Sequence, residues 1–318
     1  MIAKQEVVSL KKKNFMGISD ITSEEIKVLL GLAIEFKKKL RRREEHKYLK
    51  DKILAMVFEK PSLRTRVTFE CGMSQLGGHA IYLAPSDIGV GNRESVSDVA
   101  RNLSRWVNGM TARTFTHSTG KELAENSSIP VINALSDLEH PCQALADFQT
   151  ICEHKAGGSV RLAGLRVGYI GDGNNVCNSL LLASALLDVD MVAGCPQGYE
   201  PDTQVLDMAR NLARKSTLNV VNDPEQAAKD ADVIYTDTWA SMGQEDEREE
   251  RLKVFKDFQV TGAMMGLARK DALFMHCLPA HRGEEVSSEV IDGPQSVVFD
   301  QAENRLHSQK AVMVELMR

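Results

Sequence analysis

The chain has 318 residues, of which 43% are hydrophobic and 26% charged, with a formal net charge of −5. That length exceeds one average domain and predicts two, and the acidic balance excludes a nucleic-acid footprint. Apolar runs all fall short of the roughly 20 residues a membrane span needs, and the N-terminus lacks a signal-peptide core, so a cytoplasmic protein with no membrane partner is expected.

The first element is a helix. Thr22-Ser-Glu-Glu25 has the form of a capping box, and Ile26, Leu29, Leu30, Ala33 and Ile34 supply an apolar face behind it. The basic run from Lys37 to Arg43 closes the same helix, where cations complement its dipole. Strand signals follow near 52–58, 80–83, 110–115 and 130–135, with helical spacing over 64–76, 95–107, 119–126 and 141–154. A Gly-rich break at 155–159 precedes a second alternating series, with strands over 165–170, 190–194, 218–221, 232–236 and 273–278. The stretch 301–318 has helical spacing. Alternation of this kind predicts an α/β protein with two tandem domains, each a mostly parallel sheet with helices on both faces. The expected boundaries are 1–150 and 151–300, with 301–318 packing back on the first domain. Six cysteines form no C-x-x-C pair and no zinc-like spacing with histidine, which suits reduced thiols and no metal site.

Chemically loaded residues cluster just after the predicted strands, where open α/β sheets bind ligands. Ser62-Leu-Arg-Thr-Arg66 lies where a strand turns into a helix N-terminus. Unpaired N–H groups and the dipole favour an anion there, and two hydroxyls and two guanidiniums suit a phosphate. The competing reading is an ordinary Ser cap followed by solvated arginines. Arg113, at the end of an apolar strand, faces either a cleft or a structural ion partner. His140-Pro-Cys-Gln143 opens a helix; imidazole there could polarise a carbonyl and the Gln could bond a neutral amide, or the pair could be a plain cap.

In the second half, Gly171-Asp-Gly-Asn-Asn175 after a strand invites a dinucleotide reading, but Val176 stands at the third glycine position. G-x-G alone is a weak signal, and a turn presenting the amides of Asn175 and its neighbour to a zwitterion fits the composition better. Asp237, ahead of Ser241-Met-Gly243, ends a strand where a carboxylate could hold an ammonium. Cys277, within His276-Cys-Leu-Pro279, is either a nucleophile or a buried structural thiol, and His276 points to the other face of its strand. Arg305 adds a cation near the start of the last helix.

Taken in order along the whole chain, these segments resemble the aspartate/ornithine transcarbamylase family. The resemblance implies transfer of a carbamoyl group from carbamoyl phosphate to the δ-amine of L-ornithine, giving citrulline and phosphate, with no metal and no organic cofactor. It assigns the phosphate to Ser62, Leu63, Arg64 and Thr65, with Arg113 beside them. His140 and Gln143 would hold the carbamoyl group, and Arg113 and His140 would polarise its oxygen. Asn175, Asp237, Ser241 and Met242 would bind ornithine. Cys277, Leu278 and Arg305 would complete the site, with Cys277 contacting the amine rather than forming a covalent intermediate. A homotrimer or a multiple of trimers is also implied.

One position departs from the family. Gly89 stands where members usually place a Gln or His that reaches a neighbouring subunit, and Asn92 or Arg93 could substitute. Leu63 replaces a more usual Thr, a smaller change because its backbone N–H remains. Other acceptors within the family are putrescine, aspartate and an acylated ornithine. A different class, an NAD-dependent dehydrogenase, would rest on Gly171-x-Gly173 alone.

Overall fold

The computed structural model describes residues 10–89, 93–240 and 245–318. The chain divides into two compact units, one running to Gln149 and including Asn304–Arg318, the other Thr150–Glu303.

The first unit opens with α1 (Ser23–Arg41), whose capping box forms as its sequence dictates: Thr22 Oγ1 accepts from the Glu25 N–H at 3.2 Å and Glu25 Oε2 accepts from the Thr22 N–H at 2.8 Å. Then come β1 (Ile53–Phe58), α2 (Leu63–Gln75), β2 (His79–Leu83), α3 (Pro85–Ile88), α4 (Val96–Trp106), β3 (Gly109–Arg113), α5 (His117–Glu125), β4 (Val131–Leu135) and α6 (Pro141–Lys155). The four strands form one sheet in the order β2-β1-β3-β4, and each pairing is parallel. Strands covered on both faces read as continuous apolar runs, and every residue of β3 is buried. Ala55, Val57, Val99, Leu103, Met110, Leu123 and Val131 form a core between this sheet and helices α4 and α5.

The second unit continues with β5 (Arg166–Ile170), α7 (Asn175–Leu186), β6 (Asp190–Gly194), α8 (Thr203–Leu212), β7 (Leu218–Val221), α9 (Pro224–Ala228), β8 (Val233–Thr236), α10 (Arg248–Val254), α11 (Gly262–Met265), β9 (Leu273–His276) and α12 (Ser288–Ile291). Its five strands, also parallel, run β7-β6-β5-β8-β9. Ile170, Ile234, Phe255, Met264, Phe274 and Val286 belong to its core. The last helix is α13 (Val298–Met317).

Both strand orders reverse direction once. In the first sheet the reversal falls between β1 and β3, whose last residues Phe58 and Arg113 are register partners. In the second it falls between β5 and β8, where Ile170 pairs with Thr236. Connections leave such a point on opposite faces of the sheet and open a crevice beyond the strand ends, so each unit carries one preferred ligand position. No helix among the described residues is long and apolar enough to cross a membrane.

Candidate active site

In the first unit the crevice gathers cations. Ser62 caps α2: its Oγ accepts from the Thr65 N–H at 3.3 Å, which leaves Leu63, Arg64 and Thr65 in the first helical turn. Of the paired arginines, Arg66 turns away, donating to Glu70 Oε1 at 3.0 Å and lying 3.9 Å above the Tyr82 ring. Arg66 is therefore the solvated arginine of the pair, while Ser62 caps the helix as an acceptor and keeps its own hydroxyl hydrogen to donate. Leu63 is 75% exposed and offers the site no side-chain chemistry. Arg113 ends β3 and is buried.

The segment before α6 brings in His140 and Gln143, both buried, so His140 is no surface cap. Glu139 fixes that segment, accepting from the Ile18 N–H at 2.9 Å, and Asn133 donates to the Met16 carbonyl at the same distance. Gln143 is held at both ends of its amide: Nε2 donates to Asp147 Oδ1 at 2.7 Å and Oε1 accepts from Arg305 Nη1 at 2.6 Å. Arg305 Nη2 reaches Thr65 Oγ1 at 3.3 Å. Arg305 thus links the first turn of α2 to α6. Burial pushes the His140 imidazole well below its ordinary range, and Arg305, Arg113, Arg64 and Lys60 push it further. A neutral imidazole among four cations can donate one N–H to an oxygen without adding a fifth charge.

The departure at Gly89 has a local cause. Gly89 follows α3 at φ 52° in the left-handed region, and its N–H bonds back to the Pro85 carbonyl at 3.1 Å. Glycine is the residue suited to ending a helix this way. Arg93 Nη1 turns to the Asp87 carbonyl at 3.4 Å, and Asn92 lies outside the described residues.

In the second unit the crevice holds a carboxylate and a thiol. The turn after β5 contains the glycines of the dinucleotide-like motif, and they serve the chain's own packing. A side chain on Gly173 would lie 2.2 Å from the Pro201 nitrogen, and Gly171 adopts φ 136°. Asn174 caps α7, its Oδ1 accepting from the Val176 and Cys177 N–H groups, while its Nδ2 donates to Asp237 Oδ2 at 2.8 Å. Asp237 Oδ1 accepts from the thiol of Cys277 at 3.0 Å. Asn175 opens α7 beside them. Ser241 and Met242 lie outside the described residues.

The strand leading to Cys277 is shorter than its apolar pattern suggests. It stops at His276, and Leu278, at φ 57°, leaves the extended region. His276 organises this turn: Nδ1 accepts from the Leu278 N–H at 2.9 Å and Nε2 faces Glu285 Oε1 at 3.2 Å. Both residues are fully buried. His276 therefore serves the backbone and leaves Cys277 to Asp237. Asp237, His276 and Cys277 each present an atom within 4.8 Å of the others, a spacing a metal could use. With both ring nitrogens of His276 engaged, however, no lone pair remains for an ion. Asp172, in the same turn as Asn174, is pushed up to about 6 by burial, against the pull of Arg251.

Residue patterning missed Glu285, Asp147 and Arg251, and read Asn174 only as the neighbour of Asn175 in a ligand-presenting turn. Asn174 had a readable signal, since an Asn at the strand-to-helix junction is a strong capping residue. Glu285, Asp147 and Arg251 act through pairings that no spacing in the sequence displays.

Two doubly wound sheets, one with cations and a neutral histidine at its reversal point and the other with a carboxylate and a thiol, define a two-substrate group-transfer enzyme. Residues 13–153 match the family model described as aspartate/ornithine carbamoyltransferase, carbamoyl-P binding domain, and residues 163–316 its Asp/Orn binding domain. An ornithine carbamoyltransferase of Methanosarcina mazei is 53% identical over 307 residues, spanning 96% of this chain and all of that protein. The anabolic ornithine carbamoyltransferase of Pyrococcus furiosus is 51% identical over 98% of each chain. The solved structure of the ornithine carbamoyltransferase from that organism superposes with a TM-score of 0.93 at 50% identity, covering 98% of this chain and 99% of that one. The chain belongs to the aspartate/ornithine carbamoyltransferase family.

Proposed function

We infer that this protein transfers the carbamoyl group of carbamoyl phosphate to the δ-amine of L-ornithine, giving L-citrulline and phosphate. The observation that carries this reading is the Asn174–Asp237–Cys277 cluster, a carboxylate and a thiol placed to receive an amine. Similarity to ornithine carbamoyltransferases along nearly the whole chain, at 50–53% identity, supports the same substrate.

Carbamoyl phosphate belongs to the first unit. Ser62, Arg64 and Thr65, the N–H groups of the α2 turn including that of Leu63, and Arg113 take the phosphate. His140 donates to the carbamoyl oxygen, Gln143 takes the carbamoyl NH2 at the second lone pair of Oε1, and Arg305 braces Gln143 and Thr65. Ornithine belongs to the second unit. Asp237 and Cys277 take the δ-amine; Asn175, Ser241 and Met242 take the amino-acid end, and Leu278 completes the turn beside Cys277.

In the reaction the neutral amine attacks the carbamoyl carbon, a C–N bond forms, and the C–O bond to phosphate breaks. Negative charge builds on the carbonyl oxygen and on the departing phosphate, and fixed donors stabilise it most where water is excluded. The amine must first lose a proton, since an alkyl ammonium has a pKa of roughly 10.4. Asp237, through the Cys277 thiol or directly, is placed to assist that loss. Phosphate is already a good leaving group, so the chemistry calls for no metal or organic cofactor.

The same reading makes this an enzyme of arginine metabolism acting in the cytoplasm, as a homotrimer or a multiple of trimers. Sedimentation of the purified protein measures the assembly. Citrulline formation from carbamoyl phosphate and ornithine tests the reaction, with putrescine, aspartate and N-acetylornithine as rival acceptors. A different ureido product without citrulline would reject ornithine.

A further inference from the structure

Arg251 lies in α10, outside every motif that marks the site, yet its guanidinium touches three loops at the carboxyl ends of the second sheet. Nη1 lies 3.1 Å from Asp172 Oδ2 in the turn after β5. The same nitrogen donates at 2.9 Å to the Trp239 carbonyl in the turn after β8. Its carbon Cζ sits 4.9 Å from the centre of the Tyr199 ring in the loop after β6. Nε is occupied by Glu247 Oε2 at 2.9 Å, one helical turn away. The side chain is 8% exposed and that of Asp172 9%.

These loops are the ones that present the amine-binding cluster. The β5 turn carries Asn174 and Asn175, and the β8 turn carries Asp237, two residues before Trp239. Tyr199 joins the same frame, its carbonyl accepting from the Gly173 N–H at 2.8 Å. A guanidinium suits the task because its planar fork holds several acceptors in fixed directions, whereas an ammonium is a point charge on a flexible stem.

We propose that Arg251 is a positioning residue for the amino-acid substrate, fixing the separation of the Asn174–Asn175 turn from Asp237 by bridging Asp172 to the Trp239 carbonyl. The proposal rests on the ornithine reading given above. Arg251 does not touch the substrate. It determines whether Asp237 and Asn175 stand at the spacing that an α-amino acid with a terminal amine requires. Loss of the bridge therefore affects ornithine and leaves carbamoyl phosphate alone, because Ser62, Arg64, Arg113 and His140 belong to a different sheet.

The test is steady-state kinetics on the full-length enzyme for Arg251→Lys, Arg251→Met and the double variant Arg251→Met with Asp172→Asn, alongside thermal melts. Losing a hydrogen bond to a charged group should raise the KM for ornithine about tenfold or more in all three. The KM for carbamoyl phosphate should stay within about twofold. Arg251→Met leaves the Asp172 carboxylate buried without its cation and should melt earlier. The double variant removes that orphaned charge and should recover melting temperature without recovering the ornithine KM. Should it recover both together, Arg251 is only a structural ion pair and the proposal fails. Equal rises in both KM values overturn it as well. If Arg251→Met does not fold, the Lys and double variants still decide. Wild-type enzyme that makes no citrulline from ornithine sinks the substrate reading, and this proposal with it, before any variant is compared.

Discussion

The thiol of Cys277 donates its hydrogen to Asp237 Oδ1 across 3.0 Å. A sulfur committed as a donor to a carboxylate is poorly set to attack a carbonyl, because the nucleophilic form is the thiolate. The arrangement instead gives the incoming amine a linked donor and acceptor. Cys277→Ser keeps an O–H donor at the same place, so turnover should fall about tenfold to a hundredfold rather than vanish. Cys277→Ala, which has no donor, should fall further. Mass spectrometry of wild-type enzyme incubated with carbamoyl phosphate alone should find Cys277 unmodified; a trapped carbamoyl thioester would overturn the non-covalent role.

Arg305 reaches both Gln143 and Thr65, and its charge helps keep His140 neutral. Arg305→Ala should lower kcat/KM for carbamoyl phosphate by about 10²- to 10³-fold, the usual cost of one preorganised donor. The histidine also leaves a mark on stability. Its folded pKa lies below the ordinary value of 6.5, so the unfolded chain takes up a proton that the folded chain refuses. The stabilising contribution is therefore complete above pH 6.5 and is lost as pH falls below it. Denaturant melts from pH 7 to 5 should show a shallower decline for His140→Gln than for wild type, and parallel curves would argue against a depressed pKa.

Much of this arrangement was legible in the sequence. Parallel strands covered on both faces announce themselves as apolar runs, so β1, β6 and β7 lie within a residue of their expected bounds. Ser62 reads as a helix cap because a strand, a proline and helical spacing meet there. The β9 pattern extends past the strand because Leu278 continues the apolar run while its backbone turns left-handed. Strand order is a tertiary property, and so is the reversal point that places Arg113 beside Phe58 or Thr236 beside Ile170. Partners remote in sequence, such as Arg305 with Gln143 or Arg251 with Asp172, leave no periodic trace for the same reason.

The glycines of the β5 turn can be tested apart from catalysis. A side chain at Gly173 would meet the Pro201 nitrogen and the Glu200 carbonyl carbon, at 2.2 and 2.3 Å, and backbone cannot swing aside as a side chain can. Gly173→Ala should cost about 1–3 kcal/mol, the range for overpacking a filled site. Melting temperature measures this. Titration of wild-type enzyme with NADH, followed by fluorescence, should give no saturable change, since the space a pyrophosphate would use beside Gly173 is taken by the chain itself. Micromolar binding would restore the dinucleotide reading.

Lys310, buried in α13, supplies the last prediction. Its Nζ donates to Gln75 Oε1 at 2.9 Å, sits 3.2 Å from His46 Nε2, and lies 5.4 Å from the Phe36 ring centre. Each of these three partners is neutral. His46 is held neutral by its own burial, and its Nδ1, 2.7 Å from the Glu44 carbonyl, carries the hydrogen that leaves Nε2 free to accept. Burial lowers Lys310 from 10.5 to about 8. Below pH 8 both folded and unfolded chains hold the proton, and the folded chain bears the full cost of a desolvated ammonium. Between pH 8 and 10.5 the folded lysine has released its proton while the unfolded one keeps it, so stability rises with pH across that window. Lys310→Met has no such proton to lose. Measured by urea melts, wild type should gain about 2 kcal/mol on Lys310→Met between pH 8 and 10.5. Curves that stay parallel would mean that Gln75, His46 and the Phe36 ring solvate the ammonium as well as water does.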